Sequence, residues 1–121
     1  MAWIVLDKTT HSLYNSPMPT VDFESIRIHI RNGDYEASVH AFQRMRQRGI
    51  RLQDVEHAIL HGEIIERDVQ AIPFPKCIFW GFTEEKGEAI HVVCSVTSQS
   101  KIVTIYFPDE DKWARDRIRK R

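Results

Sequence analysis

The spacing of apolar residues changes once along this chain, at Gly62. Before Gly62, apolar side chains recur every three or four residues, as they do on one side of an α-helix. After it, they recur at every second residue, as in half-buried β-strands. Because helical and strand segments are segregated along the chain, the sequence predicts an α+β fold. In it, N-terminal helices pack on a mostly antiparallel four-stranded sheet.

Three helices are predicted before Gly62. The first begins near Val21 and ends at Asn32-Gly33, after a short strand over 1–6 and an extended connector. The second helix is expected to begin at a cap on Asp34 and to end at Gly49, since glycine takes a positive φ without steric cost. Its inward-facing arc is expected to comprise Val39, Ala41, Phe42 and Met45. The third helix is predicted over 52–61.

Four strands are predicted after Gly62, over residues 63–72, 76–82, 89–97 and 101–107. In the third strand, Ile90 and Val92 point to one face, and His91 and Val93 point to the other.

The chain of 121 residues is expected to form a single globular domain. Within it, we distinguish an N-terminal extension with the first helix (1–33), a core (34–113) and a basic C-terminal tail (114–121).

The charge balance argues against a long-range attraction to nucleic acid. Lysine plus arginine and aspartate plus glutamate number 17 each, so the formal net charge is zero. The first eight residues form too short an apolar run for a signal sequence or a membrane span. Cys77 and Cys94 lie in apolar strand-like runs and outside any zinc-ligand spacing, as expected of free thiols in a cytoplasmic protein.

The best candidate for a site is a row of three side chains on the second helix. His40, Arg44 and Arg48 recur at intervals of four, which places one imidazole and two guanidinium groups above one another. Guanidinium groups bind phosphate oxygens in pairs, and histidine transfers protons near neutral pH. The row therefore suits cleavage of RNA without a metal, with His91 or Tyr106 on the sheet as the second proton-transfer group.

Four further cations are predicted to contact the substrate: Arg46, Arg51, Lys76 and Arg117. The basic residues cluster in one helical segment and at the C-terminus, so a local basic groove is compatible with the neutral total charge.

Structural roles remain as alternatives for every one of these residues. Arginines beside an apolar arc often cover the edge of a core with their methylene stems, and a strand histidine or tyrosine is often a hydrogen-bonded core residue. His57 and His61 have a spacing that suits a metal, but no third ligand is evident. We therefore predict no metal and no cofactor.

Several blocks resemble a known family. The pattern H-x-x-x-R-M-x-x-R-G-I is followed by DVEHAILHGEIIE, PFPKCIFWGF, IHVVCSV and IVTIYFPDEDKW. Together, over roughly residues 35–113, these blocks resemble the small bacterial proteins grouped as domain of unknown function 4258.

The resemblance implies a metal-independent ribonuclease fold of the RelE-like and barnase-like kind. It also implies a toxin that is held inactive by a zinc-finger antitoxin of the kind paired with MqsR. The recurrent polar positions of the family correspond to His40, Arg44, Arg48, His91 and Tyr106.

The leading hypothesis is therefore an endoribonuclease toxin that acts on RNA. A second hypothesis is a non-catalytic module of the same fold that binds RNA or protein. A third is a structural protein that forms a homodimer through an exposed sheet edge.

Overall fold

The computed structural model describes residues 21–120, and these residues form three helices and seven strands. The helices are α1 (Ser25–Arg31), α2 (Val39–Arg48) and α3 (Leu52–His61). The strands are β1 (Tyr35–Ala37), β2 (Glu63–Asp68), β3 (Lys76–Phe82), β4 (Ala89–Val96), β5 (Ser100–Tyr106), β6 (Trp113–Ala114) and β7 (Ile118–Arg119). The predicted α+β class is confirmed. The strand and connector predicted within residues 1–20 lie outside the described residues.

The main sheet has five strands in the order β1-β5-β4-β3-β2. Strands β2 to β5 form the predicted antiparallel meander, whereas β1 pairs with β5 in parallel. The prediction of four antiparallel strands is therefore wrong by one strand. With only three residues, β1 is too short to show the alternation that identifies a strand in a sequence.

The extra strand also moves the start of the second helix. Asp34 was expected to cap that helix, but the N-cap is Ser38, which follows β1. The Ser38 hydroxyl accepts a hydrogen bond from the Ala41 N–H at 2.9 Å and donates one to the Val103 carbonyl at 2.7 Å. One side chain therefore begins α2 and fixes it to β5.

The other helix boundaries agree better with prediction. Gly49 has φ 66° and ends α2, and α3 spans the predicted residues. In contrast, α1 begins at Ser25 rather than near Val21 because residues 23–24 form a turn. Within residues 21–120, no helix has both the length and the apolar character needed to cross a lipid bilayer.

The helices pack on one face of the main sheet, which we call the helix side. Phe79, Val92 and Ile105 line its centre and are fully buried. At Gly81 the sheet approaches α3 so closely that an added Cβ would lie 2.5 Å from the Ala58 carbonyl oxygen. Only glycine fits at that contact.

Helix α2 buries a narrower arc than its sequence predicts. Ala41 and Met45 are buried, but Val39 is 73% exposed and Phe42 is 48% exposed. The helix packs against β5, and only the line through Ala41 and Met45 belongs to the core cluster. The prediction that Val39 and Phe42 face the core is therefore wrong.

Candidate functional site on the open face of the sheet

The predicted row of His40, Arg44 and Arg48 lies on the helix side. His40 and Arg48 are exposed, and Arg44 is half-buried. The Arg44 guanidinium donates to the side-chain oxygen of Gln47 at 3.0 Å. The Arg48 guanidinium carbon lies 5.9 Å from the centre of the Phe107 ring, which packs against the helix-side core. The structure thus keeps the three residues of the row on one helix, on the helix side of the sheet.

His91 and Tyr106 lie on that opposite face, which we call the open face. Ile90 and Val92, the chain neighbours of His91, both belong to the helix-side core. Because successive strand side chains alternate, His91 points away from the helices, and Tyr106 is its partner in register on β5. The row lies on a helix that packs on the helix side, so the structure does not bring it together with this pair. The catalytic role of each residue stays a prediction.

One line of side chains crosses the open face from strand to strand. Glu63, Trp80, His91 and Tyr106 are successive partners in register on β2, β3, β4 and β5. The rings of His91 and Tyr106 meet edge to face, with centroids 5.1 Å apart. The pairing therefore places three rings and a carboxylate in one line.

The C-terminal segment folds back over this line instead of extending into solvent. Residues 113–119 form the β6–β7 hairpin, which we call the strap. The Trp113 ring is buried 4.5 Å from the His91 ring, centroid to centroid. The Arg117 guanidinium lies 4.9 Å from the centre of the Trp80 ring, and that of Arg119 lies 4.6 Å from the centre of the Trp113 ring. The Arg117 contact thus ties the strap to the sheet, whereas the Arg119 contact lies within the strap.

The tip of the strap has an unusual backbone conformation. Arg115 and Asp116 have φ values of 53° and 64°, and the Arg117 N–H donates to the Ala114 carbonyl at 3.1 Å. Non-glycine residues rarely occupy this region, and each such residue costs about 1–3 kcal/mol. The turn places the Asp116 carbonyl oxygen 2.5 Å from His91 Nε2.

This contact determines which nitrogen of His91 carries the proton. A carbonyl only accepts, so Nε2–H donates to it, and in the neutral ring Nδ1 becomes an acceptor. The Tyr106 hydroxyl, 3.2 Å from Nδ1, then donates to His91. Burial lowers the pKa of His91 and raises the pKa of Tyr106, which favours the neutral imidazole and the protonated phenol.

A cavity of about 290 Å³ opens beside this pair. We call it the cleft. Its lining includes Glu66, Asp68, Lys76, Val93, Tyr106 and Arg119. The Arg119 guanidinium donates twice to the Glu66 carboxylate, at 2.8 Å in both cases, and this pairing raises the pKa of Arg119. Two carboxylates, two cations and a phenol among these residues thus surround one concave space.

The four predicted substrate contacts lie in different places. Lys76 lines the cleft, and Arg117 lies on the strap, where it pairs with Glu63. Arg46 is exposed on α2. Arg51 begins α3 and pairs with Asp54 and Glu85, away from the cleft. Only Lys76 and Arg117 therefore belong to the open-face site.

Sequence reasoning missed Glu66, Arg119 and Trp113 as members of this site. For Glu66 a signal existed: it lies on the predicted strand over 63–72, and that strand pairs with β3. For the strap there was little signal, since its turn residues, Arg115 and Asp116, are not the asparagine and glycine typical of such hairpins.

Neither histidines nor thiols indicate a metal centre in the described part of the chain. Residues 21–120 contain no group of three or more His, Cys, Asp or Glu side chains that could hold a metal ion. The His57 and His61 rings lie 4.7 Å apart, but His57 Nδ1 is already hydrogen-bonded to the Phe82 carbonyl. Cys77 and Cys94 are free and buried, and burial raises the pKa of the Cys77 thiol to about 12.

Comparison with known proteins identifies the family. The family model described as Domain of unknown function (DUF4258) matches residues 37–107, which is more than half of the chain. The chain belongs to the DUF4258 family. Neither a curated protein nor a solved structure matches it. The DUF4258 match ends one residue after β5, so it includes Glu66, His91 and Tyr106 but not the strap.

Proposed function

We propose that this protein is a metal-independent endoribonuclease whose active site is the cleft on the open face. One observation carries the proposal: the phenol of Tyr106, the carboxylate of Glu66 and the guanidinium of Arg119 line the same cavity. These groups are the acid, the base and the cation that transfer of a phosphoryl group to the neighbouring 2′-hydroxyl requires.

The proposed reaction gives one step to each of these groups. Glu66 takes the proton of the RNA 2′-hydroxyl, and the 2′-oxygen forms a bond to the adjacent phosphorus. The bond from phosphorus to the 5′-oxygen breaks, and the Tyr106 O–H turns from His91 Nδ1 to that leaving oxygen and gives it the proton. The products are a 2′,3′-cyclic phosphate and a 5′-hydroxyl end. Arg119 and Lys76 stabilise the negative charge that develops on the phosphate oxygens.

His91 acts as a positioning residue in this scheme. It is fully buried under the strap, so it does not reach the substrate. Its Nδ1 accepts from Tyr106 and thereby holds the phenol at the edge of the cleft. The contact with the Asp116 carbonyl fixes the ring orientation that makes this possible.

The row on α2 has a different role in the proposal. His40, Arg44 and Arg48 are not among the residues that line the cleft, and they lie on α2, which packs on the helix side. With Arg46 they form a cationic surface of α2 that contacts the RNA backbone electrostatically.

The biological setting that the resemblance implies is part of the proposal. It comprises a RelE-like or barnase-like fold, a bacterial cytoplasmic toxin, and inhibition by a zinc-finger antitoxin. The α+β layout supports the fold, since helices cover one face of the sheet and leave the other for a site. The buried free thiols agree with a reducing compartment.

A non-catalytic module that binds RNA or protein is the second candidate. It is favoured by the state of the cleft, in which Arg119 holds both oxygens of Glu66. If that pair is permanent, Glu66 serves as a structural partner of the strap and not as a base.

Cleavage of a fluorogenic RNA in the presence of a chelator separates the two candidates. We expect the wild type to cleave and Glu66→Gln to lose activity by about 10²–10⁴-fold. Glu85→Gln is the matched control, because Glu85 also pairs with an arginine but lies outside the cleft. Binding without cleavage by the wild type would support the second candidate, and equal activity of all three proteins would overturn the assignment of Glu66.

A further inference from the structure

The unusual feature next to the cleft is the environment of Trp80. Its indole Nε1 is buried, and no described residue accepts a hydrogen bond from it. A buried donor without an acceptor is unfavourable and is uncommon in folded proteins. Trp80 lies beside His91 in register, so the unused donor is close to the site proposed above.

Arg117 covers the indole, and it is not firmly held there. Its guanidinium lies over the ring and makes one ion pair, to Glu63 at 2.6 Å. Both side chains are more than two-fifths exposed. Ion pairs with that exposure contribute little to stability. A ligand that offers a phosphate to Arg117 can therefore draw the guanidinium away and uncover the ring.

Phe82 extends the aromatic surface beyond Trp80. It is two residues further along β3, on the same face, and its ring is 42% exposed. The two ring centroids are 5.2 Å apart in an edge contact. An exposed aromatic ring next to an unused N–H donor and a cation offers stacking, a hydrogen bond and a phosphate contact. A nucleotide with an unpaired base uses all three.

We propose that Phe82, Trp80 and Arg117 form a nucleobase subsite that makes the cleft specific for single-stranded RNA. The inference rests on the proposed ribonuclease function and deepens it, because it assigns the substrate class. A base next to the scissile phosphate stacks on Phe82, and an acceptor on its edge takes the hydrogen bond of Trp80. Arg117 binds the neighbouring phosphate. Base-paired RNA is excluded because its bases are already stacked in the duplex.

The test measures binding of fluorescein-labelled single-stranded RNA by anisotropy, with every protein in the Glu66→Gln background to prevent cleavage. We expect Phe82→Leu to weaken binding by about 5- to 150-fold, the range for loss of one stacked base. Trp80→Phe keeps a ring but removes the donor, and we expect a loss of about 2- to 13-fold. Phe74→Leu is the control, since Phe74 is similarly exposed but lies on a loop outside the subsite.

A second RNA that lacks the base at one position makes the test specific. A series with the abasic site moved along the RNA should contain one position at which Phe82→Leu no longer weakens binding, because the stacked base is already absent. Equal affinities of Phe82→Leu and Phe74→Leu, or an equal loss with every abasic RNA, would overturn the subsite. Base-dependent binding without cleavage by the wild type would contradict the ribonuclease and leave the subsite standing. Cleavage by the wild type without base-dependent binding would contradict the subsite and leave the ribonuclease standing.

Discussion

At β4, the two faces of the main sheet both bury side chains completely, but they surround them with different chemistry. Val92 and His91 are neighbours on β4, and both are fully buried. Val92 contacts the apolar core under the helices, whereas His91 contacts an indole, a phenol and a backbone carbonyl under the strap. Apolar burial on the helix side is the main source of stability, and buried polar contacts on the open face fix the orientation of His91 and Tyr106.

The comparison also explains why the α2 row is the weaker candidate. The row consists of two exposed side chains and one half-buried side chain on a helix, and the hydrogen bond of Arg44 to Gln47 is a local contact within that helix. The open-face groups come from β2, β3, β4, β5 and the strap, so tertiary structure fixes their relative positions. A site that is assembled from several elements holds its groups more rigidly than one exposed row does.

The largest effect is expected from the helix side. Phe79→Ala should lower the free energy of unfolding by about 3–5 kcal/mol, because Phe79 is fully buried at the centre of the core. Phe82→Ala, on the open face of the same strand, should cost much less because that ring is partly exposed. Chemical denaturation measures both values. Similar losses for the two variants would break the proposed division between the faces.

A large catalytic effect is expected from Arg119. Arg119→Lys keeps the charge but not the planar pair of N–H donors, and we expect kcat to fall by about 10²–10³-fold if those donors stabilise the phosphate. The control is Arg51→Lys, since Arg51 also pairs with carboxylates but lies away from the cleft. Equal kcat values in the two variants would remove Arg119 from the active site.

A moderate effect on stability is expected from pH. Burial lowers the pKa of His91 in the folded protein, so the unfolded chain takes up a proton more readily. Stability should therefore fall as the pH decreases below about 6.5, by at most about 1.4 kcal/mol per pH unit from this group.

The His91→Gln variant should lack this component of the pH dependence. Asp54 does not confuse the result. Burial alone would raise its pKa, but hydrogen bonds from Arg51 and from the Glu84 N–H hold the pKa below its usual value. The contribution of Asp54 to stability is therefore lost only at a more acidic pH than that of His91. An identical slope of stability against pH in the wild type and His91→Gln would contradict the neutral, buried histidine.

The smallest effect is expected from the α2 row. Replacing Arg44 and Arg48 together by glutamine should change the free energy of unfolding by less than about 1 kcal/mol, because neither side chain is fully buried. RNA binding by this double variant should weaken mainly at low salt, as expected for contacts to phosphates. A loss of cleavage at unchanged RNA affinity would instead restore the row as the catalytic site.

Much of the fold follows from sequence patterns, because local rules govern it. The ends of α2 and α3 at glycines, the extent of β3 and the alternation of His91 with Ile90 and Val92 are all confirmed. The missed elements are β1, with three residues, and the strap, with two residues in each strand. Strands this short show no alternation of apolar and polar residues. Tertiary contacts stabilise them, and no local pattern in the sequence records such contacts.

The site could be predicted only in part for the same reason. The residues of the row recur every four positions on one helix, so their spacing reveals them, whereas the Glu66–Arg119 pair joins positions 53 residues apart. His91 and Tyr106 were identified individually, but nothing in their spacing shows which face of the sheet they occupy. That face depends on where the helices and the strap pack.

The most direct test compares one residue from each candidate site in a single assay. Cleavage of a single-stranded RNA should be followed for the wild type, Tyr106→Phe and His40→Ala, after both variants are shown to be folded. We predict that Tyr106→Phe lowers kcat/KM by about 10²–10⁴-fold and that His40→Ala stays within about threefold of the wild type. A large loss in His40→Ala together with full activity of Tyr106→Phe would contradict the placement of the active site on the open face.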